Sequence, residues 1–326
     1  MSSSPQSVIR RSGTPSRQRN RVPLVVAVVL NYNGWHDTVR CVRSLEESGY
    51  KRLDIVVVDN GSTDDSLRQL RRRLRGISIL SLAQNGGYAA GNNAGIRQAL
   101  EMGAEYVLVM NNDVVVEKKF LQPMIKAAER DPMTGIVTCK VLYASSPHEV
   151  FSGAGRFSWS RCTGVSNGLL LLRPDNNNEE CPVDFACGVL FLAKRNVFES
   201  VGFLDERYFM YFEDVEFSRR VSRQFKMMYT PYGVAYHKSG GGKGWKTYTE
   251  LYLFYHTRNR FWAFAGDPFL YRAYVVVFTL MNSAAKAAII LMNYFREPET
   301  NRKRLLVLAK GIVEGLSGIP HQRRHQ

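Results

Sequence analysis

The chain has 326 residues, 45% of them hydrophobic and 22% charged, a balance that excludes global disorder and leaves ample material for a core. Lys and Arg number 44 against 29 Asp and Glu, a formal charge of +15, so an anionic partner is expected: a membrane surface, a phosphate-bearing substrate or nucleic acid. Five cysteines without paired CxxC spacing suggest neither a disulfide framework nor a zinc cluster and fit a reducing compartment.

Residues 1–22 are rich in Ser, Pro and Arg, carry no acid and lack the apolar stretch of a secretory signal; they read as a disordered basic arm. Four short apolar runs follow, at 24–30 (LVVAVVL), 55–58 (IVVV), 77–82 (ISILSL) and 106–110 (YVLVM). Their length, β-branched content and near-continuous hydrophobicity predict parallel strands buried on both faces. The segments 35–49, 63–75 and 88–103 have the length and apolar spacing of crossover helices, which gives βαβαβαβ order with helices on both faces of the sheet. The polar stretch 174–180 reads as a surface loop within the fold.

Each predicted strand ends in a turn-forming cluster: Asn31-Tyr32-Asn33-Gly34, Asp59-Asn60-Gly61-Ser62, Gln84-Asn85-Gly86-Gly87 and Asn111-Asn112-Asp113. Ligands of open α/β sheets collect beyond the carboxyl ends of the strands, where loops and helix amino termini converge. Any one cluster is explained by turn chemistry alone; four together predict one nucleotide-sized site. NYNGWHD after the first strand is not the GxGxxG of a dinucleotide-binding enzyme, and GGYAAGNNAG after the third lacks the Lys-Ser/Thr of a Walker loop. The glycines of that second cluster are expected to let the backbone approach a sugar or diphosphate closely.

Further along, GFLDERYFMYFEDVEFSRRVSR reads as an aromatic approach to a helix that begins near Glu213, with acids in its first turn and arginines in its last. Asp214 shares a helical face with Phe217 and Val221 and is predicted to point inward, whereas Glu216, near Arg219 and Arg220, is predicted to face solvent. An inward carboxylate behind Tyr208, Phe209 and Tyr211 would be desolvated, raising its proton affinity toward that of a general base; a helix-capping acid pair is the plainer reading. His237 precedes a glycine-rich loop with Lys238, Lys243 and Lys246. It is read as a diphosphate or metal contact or as a structural residue, and the loop as a lid over a diphosphate or an exposed basic loop. Tyr248, Leu251, Tyr252, Tyr255 and Trp262 fall at helix spacing around Arg258, Asn259 and Arg260. The apolar runs 274–281 and 287–292 are interrupted by Asn282 and Lys286, which argues against a clean spanning helix and for an amphipathic or shallowly inserted one, with packing on the core as the alternative.

These motifs, VVLNYNG, VVVDNGSTDDS, NGGYAAGNNAG, VLVMNNDV and FMYFEDVEFSRR, resemble those of the inverting family-two glycosyltransferases, in particular a rhamnosyltransferase-like branch, over about residues 24–262. The resemblance implies a GT-A (Rossmann-like) α/β fold with a mostly parallel sheet over 23–265; residues 266–326 read as a helical extension with a basic tail, either associated with a membrane or packed on the core. It implies that Asn31, Asn33 and Asp59 hold the nucleotide and that the loop with Asn85, Gly86, Gly87 and Asn92 shapes the donor pocket with Asn111 and Asn112. The family's DxD element reads Asn111-Asn112-Asp113 here, so Asp113, with His237, would hold a divalent cation, Mg²⁺ or Mn²⁺, against the donor diphosphate. The acidic motif makes Asp214 the catalytic base, with Glu213 as the alternative. The arginines of the HTRNRFW segment, which resembles the branch's acceptor-side helix, would meet an acceptor phosphate. The implied reaction moves a sugar, rhamnose by resemblance, from a nucleoside diphosphate to a hydroxyl of a glycan or polyprenyl-diphosphate-linked glycan at the inner face of the cell membrane. A non-catalytic carbohydrate-binding or assembly protein is the competing reading. Nucleic acid is not expected as a partner, because the basic run 68–75 lies on one helix without any accompanying recognition motif.

Overall fold

A computed structural model describes residues 21–166, 178–238 and 248–318. Parts of the amino-terminal arm, of the 174–180 loop and of the basic tail, together with Lys243 and Lys246 of the glycine-rich loop, lie outside the described residues.

The four apolar runs form β1 (Val25–Asn31), β2 (Leu53–Asp59), β3 (Ser78–Ser81) and β4 (Tyr106–Asn111), paired in parallel in the order β3-β2-β1-β4. The intervening segments form α1 (Trp35–Glu46), α2 (Ser66–Arg73) and α3 (Gly87–Glu101). The register brings the strand ends level: Asn31 pairs with Asp59, Asp59 with Ser81 and Leu30 with Asn111. Four polar clusters spread from Asn31 to Asp113 therefore meet at one rim of the sheet, since parallel strands in register release their loops from the same edge.

Beyond β4 the sheet becomes mixed. After β5 (Val114–Val116) and α4 (Leu121–Glu129) come β6 (Thr134–Tyr143), β7 (Ser146–Ser152), the small hairpin β8 (Arg156–Ser158) and β9 (Thr163–Val165), then β10 (Cys181–Val183) and β11 (Leu190–Lys194). Strand β11 enters antiparallel between β4 and β6. The chain continues through α5 (Arg195–Val201), α6 (Glu213–Val221) and the long β12 (Lys226–His237), which lies parallel to β6 and pairs its carboxyl end with β5. The path runs β10-β12-β6-β11-β4-β1-β2-β3.

Two apolar layers sandwich this sheet. One joins Val25, Ala27 and Val29 to Val42 and Leu45 of α1, Leu70 of α2 and Met124 of α4. The other joins Val26, Val28, Val56 and Val58 to Ile96 of α3, Phe198 of α5 and Phe217 of α6. Alternate residues of each strand feed opposite layers, which is why the runs lack alternation.

Among the described residues three helices follow: α7 (Glu250–Ala263), α8 (Phe269–Met292) and α9 (Pro298–Ser317). The two carboxy-terminal apolar runs are one continuous helix, α8, with Asn282 and Lys286 inside it. Its buried residues Val275, Thr279, Ser283, Lys286 and Ile290 recur every three or four positions, so the interrupting Lys286 lies on the inward stripe and the outward stripe remains apolar.

Candidate active site

The rim is braced by side chains that cross between loops. Asn31 donates through Nδ2 to Asp59 Oδ1 at 2.8 Å and to Ser62 Oγ at 3.1 Å, and its Oδ1 accepts from Thr38 Oγ1 at 2.7 Å. Asn112 Nδ2 donates to Thr38 Oγ1 at 2.9 Å. Asn31 and Asp59 are 0% and 2% exposed, and their polar atoms are engaged by neighbouring loops. They hold the strand ends together, and the surfaces presented at this corner are those of Tyr32, Asn33 and Thr63. Asn33, at φ 50°, donates to Thr63 Oγ1 and accepts from the Thr63 amide. A short Asn side chain tolerates this left-handed conformation.

Asn60 was not singled out from the sequence and is the hub of the next corner. Its Nδ2 donates to Asn85 Oδ1 and to the Gly87 carbonyl, both at 3.0 Å, and its Oδ1 accepts from the Gly86 amide. Asn92 caps the Tyr88 carbonyl, and Asn93 bonds both the amide and the carbonyl of Leu204. The glycines expected to let the backbone approach a sugar or diphosphate also have packing roles. A Cβ on Gly91 or Gly95 would come within 2.4 Å of Leu30 or Val28, so these two let α3 lie close on the sheet. A Cβ on Gly87, at φ +89°, would fall 2.4 Å from the Phe209 carbonyl oxygen, which itself accepts from the Tyr88 amide. Gly87→Ala combines a backbone clash with a left-handed φ, and is expected to cost on the order of 2–4 kcal/mol, read as a lowered chemical-denaturation midpoint with unchanged m.

Gly87 is thus docked against the aromatic approach that leads to α6. Within that approach Phe209, Tyr211 and Phe212 adopt φ of 59°, 66° and 71°, rare values for bulky side chains. One residue secures the turn: Asn259 of α7 directs its Nδ2 to the carbonyls of Tyr208, Met210 and Tyr211 at 2.8, 2.9 and 2.8 Å. Arg258 adds bonds to the carbonyls of Arg207 and Tyr208. These two polar residues of the HTRNRFW segment are therefore engaged with backbone, and Phe209 stacks on Tyr255, with ring centroids 4.8 Å apart.

The turn delivers Glu213 and Asp214. Asp214 is half-buried; its Oδ2 accepts from the Gly188 amide at 3.0 Å and its Oδ1 from the Val215 amide at 2.8 Å. Tyr88 donates its hydroxyl to the Gly188 carbonyl, and the next residue, Val189, accepts from the amide of Asn111. The acid is therefore joined to the end of β4 through two residues, and α6 opens onto the same rim as the strand-end loops. Glu213 is 6% exposed with Oε2 unpartnered. Burial, with the Asp214 charge beside it, holds its carboxyl well above the usual carboxylate range; burial likewise raises Asp214, opposed by the two amides it accepts from. Both acids are thus desolvated, and Glu213 is the more enclosed. Glu216, expected in solvent, is instead clamped by Arg220 through two bonds of 2.6 and 2.9 Å, because Arg220 also caps the carbonyls of Val201 and Phe203 and draws the pair against the protein.

At the opposite side of the rim Asp113 Oδ1 lies 3.1 Å from Nε2 of buried His237, whose Nδ1 has no partner. β12 brings them together: its carboxyl end pairs with β5, placing His237 opposite Val114. Asp113 also borders a cleft of about 280 Å³ shared with Asp37, Arg40 and Lys238. Lys238 itself pairs with Asp37 at 2.8 Å. A carboxylate and an imidazole nitrogen at one point are compatible with a divalent cation that takes its remaining ligands from phosphate and water. Among the described residues no cluster of three His, Cys, Asp or Glu side chains accompanies them.

Of the residues singled out in the sequence, Asn31, Asn33, Asp59, Asn85, Gly86, Gly87, Asn92, Asn111, Asn112, Asp113, His237, Glu213 and Asp214 all lie at or just behind this rim. Asn60, Tyr88, Gly188 and the bracing role of Asn259 escaped sequence reasoning; Asn60 and Tyr88, within the quoted DNGS and GGYAAGNNAG clusters, carried a local signal.

Comparison with known proteins agrees with this architecture. A low-salt glycan biosynthesis hexosyltransferase, Agl10, of Haloferax volcanii is 30% identical over 198 residues, 60% of this chain and 61% of its own length. An N-acetylglucosaminyl-diphospho-decaprenol L-rhamnosyltransferase of Mycobacterium tuberculosis is 27% identical over 233 residues, 65% of this chain and 75% of its own. A dTDP-rhamnosyl transferase, RfbF, of Shigella flexneri is 21% identical over 316 residues, 90% and 97% respectively. Among solved structures, a mannosyltransferase of Pyrobaculum calidifontis in complex with GDP-mannose and Mn²⁺ superposes with a TM-score of 0.57 at 17% identity, covering 92% of this chain and 89% of its own, which supports a GT-A fold. The model of glycosyl transferase family 2 matches residues 26–202, more than half of the sequence, and the chain belongs to that family.

Proposed function

We propose that the protein is an inverting glycosyltransferase that moves a sugar from a nucleoside diphosphate to a hydroxyl of a glycan carried on a lipid phosphate, with Asp214 as the base. The observation that carries this reading is the short link from Asp214 through Gly188 and Val189 to Asn111, which puts a desolvated carboxylate beside the strand-end rim. The nucleotide would lie across that rim, its base near Tyr32 and the Asn85–Gly87 turn and its diphosphate near Asp113.

Asp214 accepts the proton of the attacking hydroxyl while that oxygen bonds to the anomeric carbon and the bond to the diphosphate breaks on the opposite face. A single displacement of this kind inverts the anomeric configuration. Asp113 and His237 would hold a divalent cation, which supplies positive charge beside the departing diphosphate; Mn²⁺ is present in the Pyrobaculum mannosyltransferase. Relatives named as rhamnosyltransferases make dTDP-rhamnose the donor to try first. Incubation with a panel of nucleotide sugars and a lipid-linked glycan, followed by NMR of the new anomeric linkage, tests the proposal. A product inverted relative to the donor is expected; retention would reject the single displacement.

Helix α8 supports a membrane surface, at the cytoplasmic side where nucleotide sugars reside, as the place of reaction. It is long and apolar enough to cross a bilayer, with a window of mean hydropathy 1.9, yet it packs one stripe on α7 and leaves Leu270, Val277, Met281 and Met292 exposed. Exposed Arg272, Arg296, Arg302 and Lys303 border that face, an arrangement suited to lying on anionic lipid. Val277→Glu with Met281→Glu should lower binding to vesicles containing phosphatidylglycerol at least about tenfold, since each buried aliphatic side chain contributes roughly 1.5–3 kcal/mol. Flotation assays check this, and unchanged flotation would remove α8 from the membrane contact.

A further inference from the structure

Helices α7 and α8 run antiparallel, as the contacts of Arg260 with Asn282 and of Tyr252 with Lys286 require. Between them lies a cluster of polar side chains that the fold does not use. Arg260 and Lys286 are each 4% exposed. Arg260 Nε and Lys286 Nζ have no hydrogen-bond partner, and neither do His256 Nδ1, Thr257 Oγ1 or Ser283 Oγ on the same two helices. The bond from Arg260 to Asn282 is long, at 3.4 Å. Neither cation forms an ion pair with any described acid.

Aromatic faces surround the two charges. Lys286 Nζ sits 4.9 Å from the Tyr252 ring centroid, and the Arg260 guanidinium 5.5 Å from that of Phe212 and 5.4 Å from that of Phe278. Such contacts offset only part of the cost of burying a cation. Two like charges held together out of water without a counter-charge are costly. Burial and the neighbouring Arg260 push the Lys286 ammonium down to about 7, and the same surroundings keep His256 well below its usual value. An arriving anion would relieve the repulsion and fill the unmet donors at once.

The position of the cluster identifies the anion. Phe212, which Arg260 and His256 both contact, is the residue immediately before Glu213 of the candidate acid pair. The opposite side of α8 is the apolar face described above. A ligand anchored here would therefore have its charged group next to the reacting end of the site and an apolar portion beside the lipid-facing helix.

We propose that Arg260 and Lys286, with Thr257 and Ser283 as hydroxyl donors, form a phosphate site for the acceptor, a glycan whose phosphate or diphosphate is esterified to a long isoprenoid chain. The assignment rests on the transferase reading above and adds the group by which the acceptor is held.

The test measures binding of farnesyl diphosphate, farnesol, inorganic pyrophosphate and dTDP to the full chain and to Arg260→Met and Lys286→Met by calorimetry in detergent, alongside thermal unfolding. Farnesyl diphosphate should bind the native protein, farnesol should not, and each variant should weaken that binding at least about tenfold, the effect of losing a charge-assisted hydrogen bond, with dTDP affinity unchanged. Lys286→Met should also unfold at a higher temperature than the native chain, because a buried unpaired cation is replaced by a side chain of similar volume; a residue retained for structure alone would give the reverse. Undiminished farnesyl diphosphate binding in both variants overturns the proposal. Pyrophosphate binding as tightly as farnesyl diphosphate assigns the site to free phosphate and overturns the acceptor assignment. Farnesyl diphosphate binding without any nucleotide binding would sink the transferase reading while leaving the anion site in place.

Discussion

Asp214→Asn is expected to lower kcat by roughly 10²–10⁴, the range lost with a general base, while donor affinity stays within about threefold. The amide preserves size and can still accept through Oδ1 from one of the Gly188 and Val215 amides, which in the native chain bond different oxygens of Asp214, so unchanged donor affinity would show that the loss reports the missing proton acceptor rather than a displaced loop. The partner control is Glu213→Gln, which should keep turnover within about tenfold. If the glutamine abolishes transfer and the asparagine does not, the base is Glu213. The pH dependence has a fixed sign. A base acts when deprotonated, and burial raises these carboxyls, so kcat/KM should climb with pH and level off above the ordinary carboxylate range. Stability should move the other way. Between the unfolded and the raised folded values the native state holds more protons than the unfolded chain, and stability falls as pH rises through that window. Asp214→Asn should flatten this slope in denaturation measured from pH 4 upward.

Asp113→Ala is expected to raise the donor KM at least about tenfold and to abolish any stimulation by Mn²⁺. Asp113 bears the only carboxylate of the Asn111-Asn112-Asp113 element, and among the described residues just His237 accompanies it. The informative control is Asp113→Asn, which retains the contact with His237 but not the charge. Identical kinetics for native protein with and without chelator, together with a silent Asp113→Ala, would eliminate the cation from the scheme.

The parallel half of the fold, β1 to β4, was legible because its information is local. LVVAVVL, IVVV and YVLVM are too short and too β-branched for helices, and the Asn/Asp/Gly clusters mark where the strands stop. Their convergence followed from parallel topology alone. The mixed half was less legible: β11 joins β4 antiparallel, a long-range pairing that no periodicity in FLAK announces. At the site, residue types were read better than residue work. Asn31 and Asp59 read as ligand contacts, and the structure adds that they join loops, a role the sequence could not announce, since a carboxylate beside an amide forms the same hydrogen bonds to protein as to a nucleotide. Gly91 and Gly95 lie in the cluster read as a close backbone approach to a sugar or diphosphate, and what their missing Cβ atoms make room for within the protein is Leu30 and Val28. The bracing role of Asn259, named only as part of an aromatic stripe, went unread because its three carbonyl partners lie about 50 positions away in the chain. Lys286 appeared to interrupt an apolar run; only the helix phase reveals that it faces inward.

A crystal structure of the protein soaked with dTDP and Mn²⁺ bears most directly on the shared rim. The base should rest beside Tyr32 and the Asn85–Gly87 turn and the β-phosphate within reach of Asp113, leaving a gap about one sugar wide before Asp214. A nucleotide bound away from the carboxyl ends of β1, β2 and β4, or a β-phosphate on the far side of the sheet from α6, would contradict it.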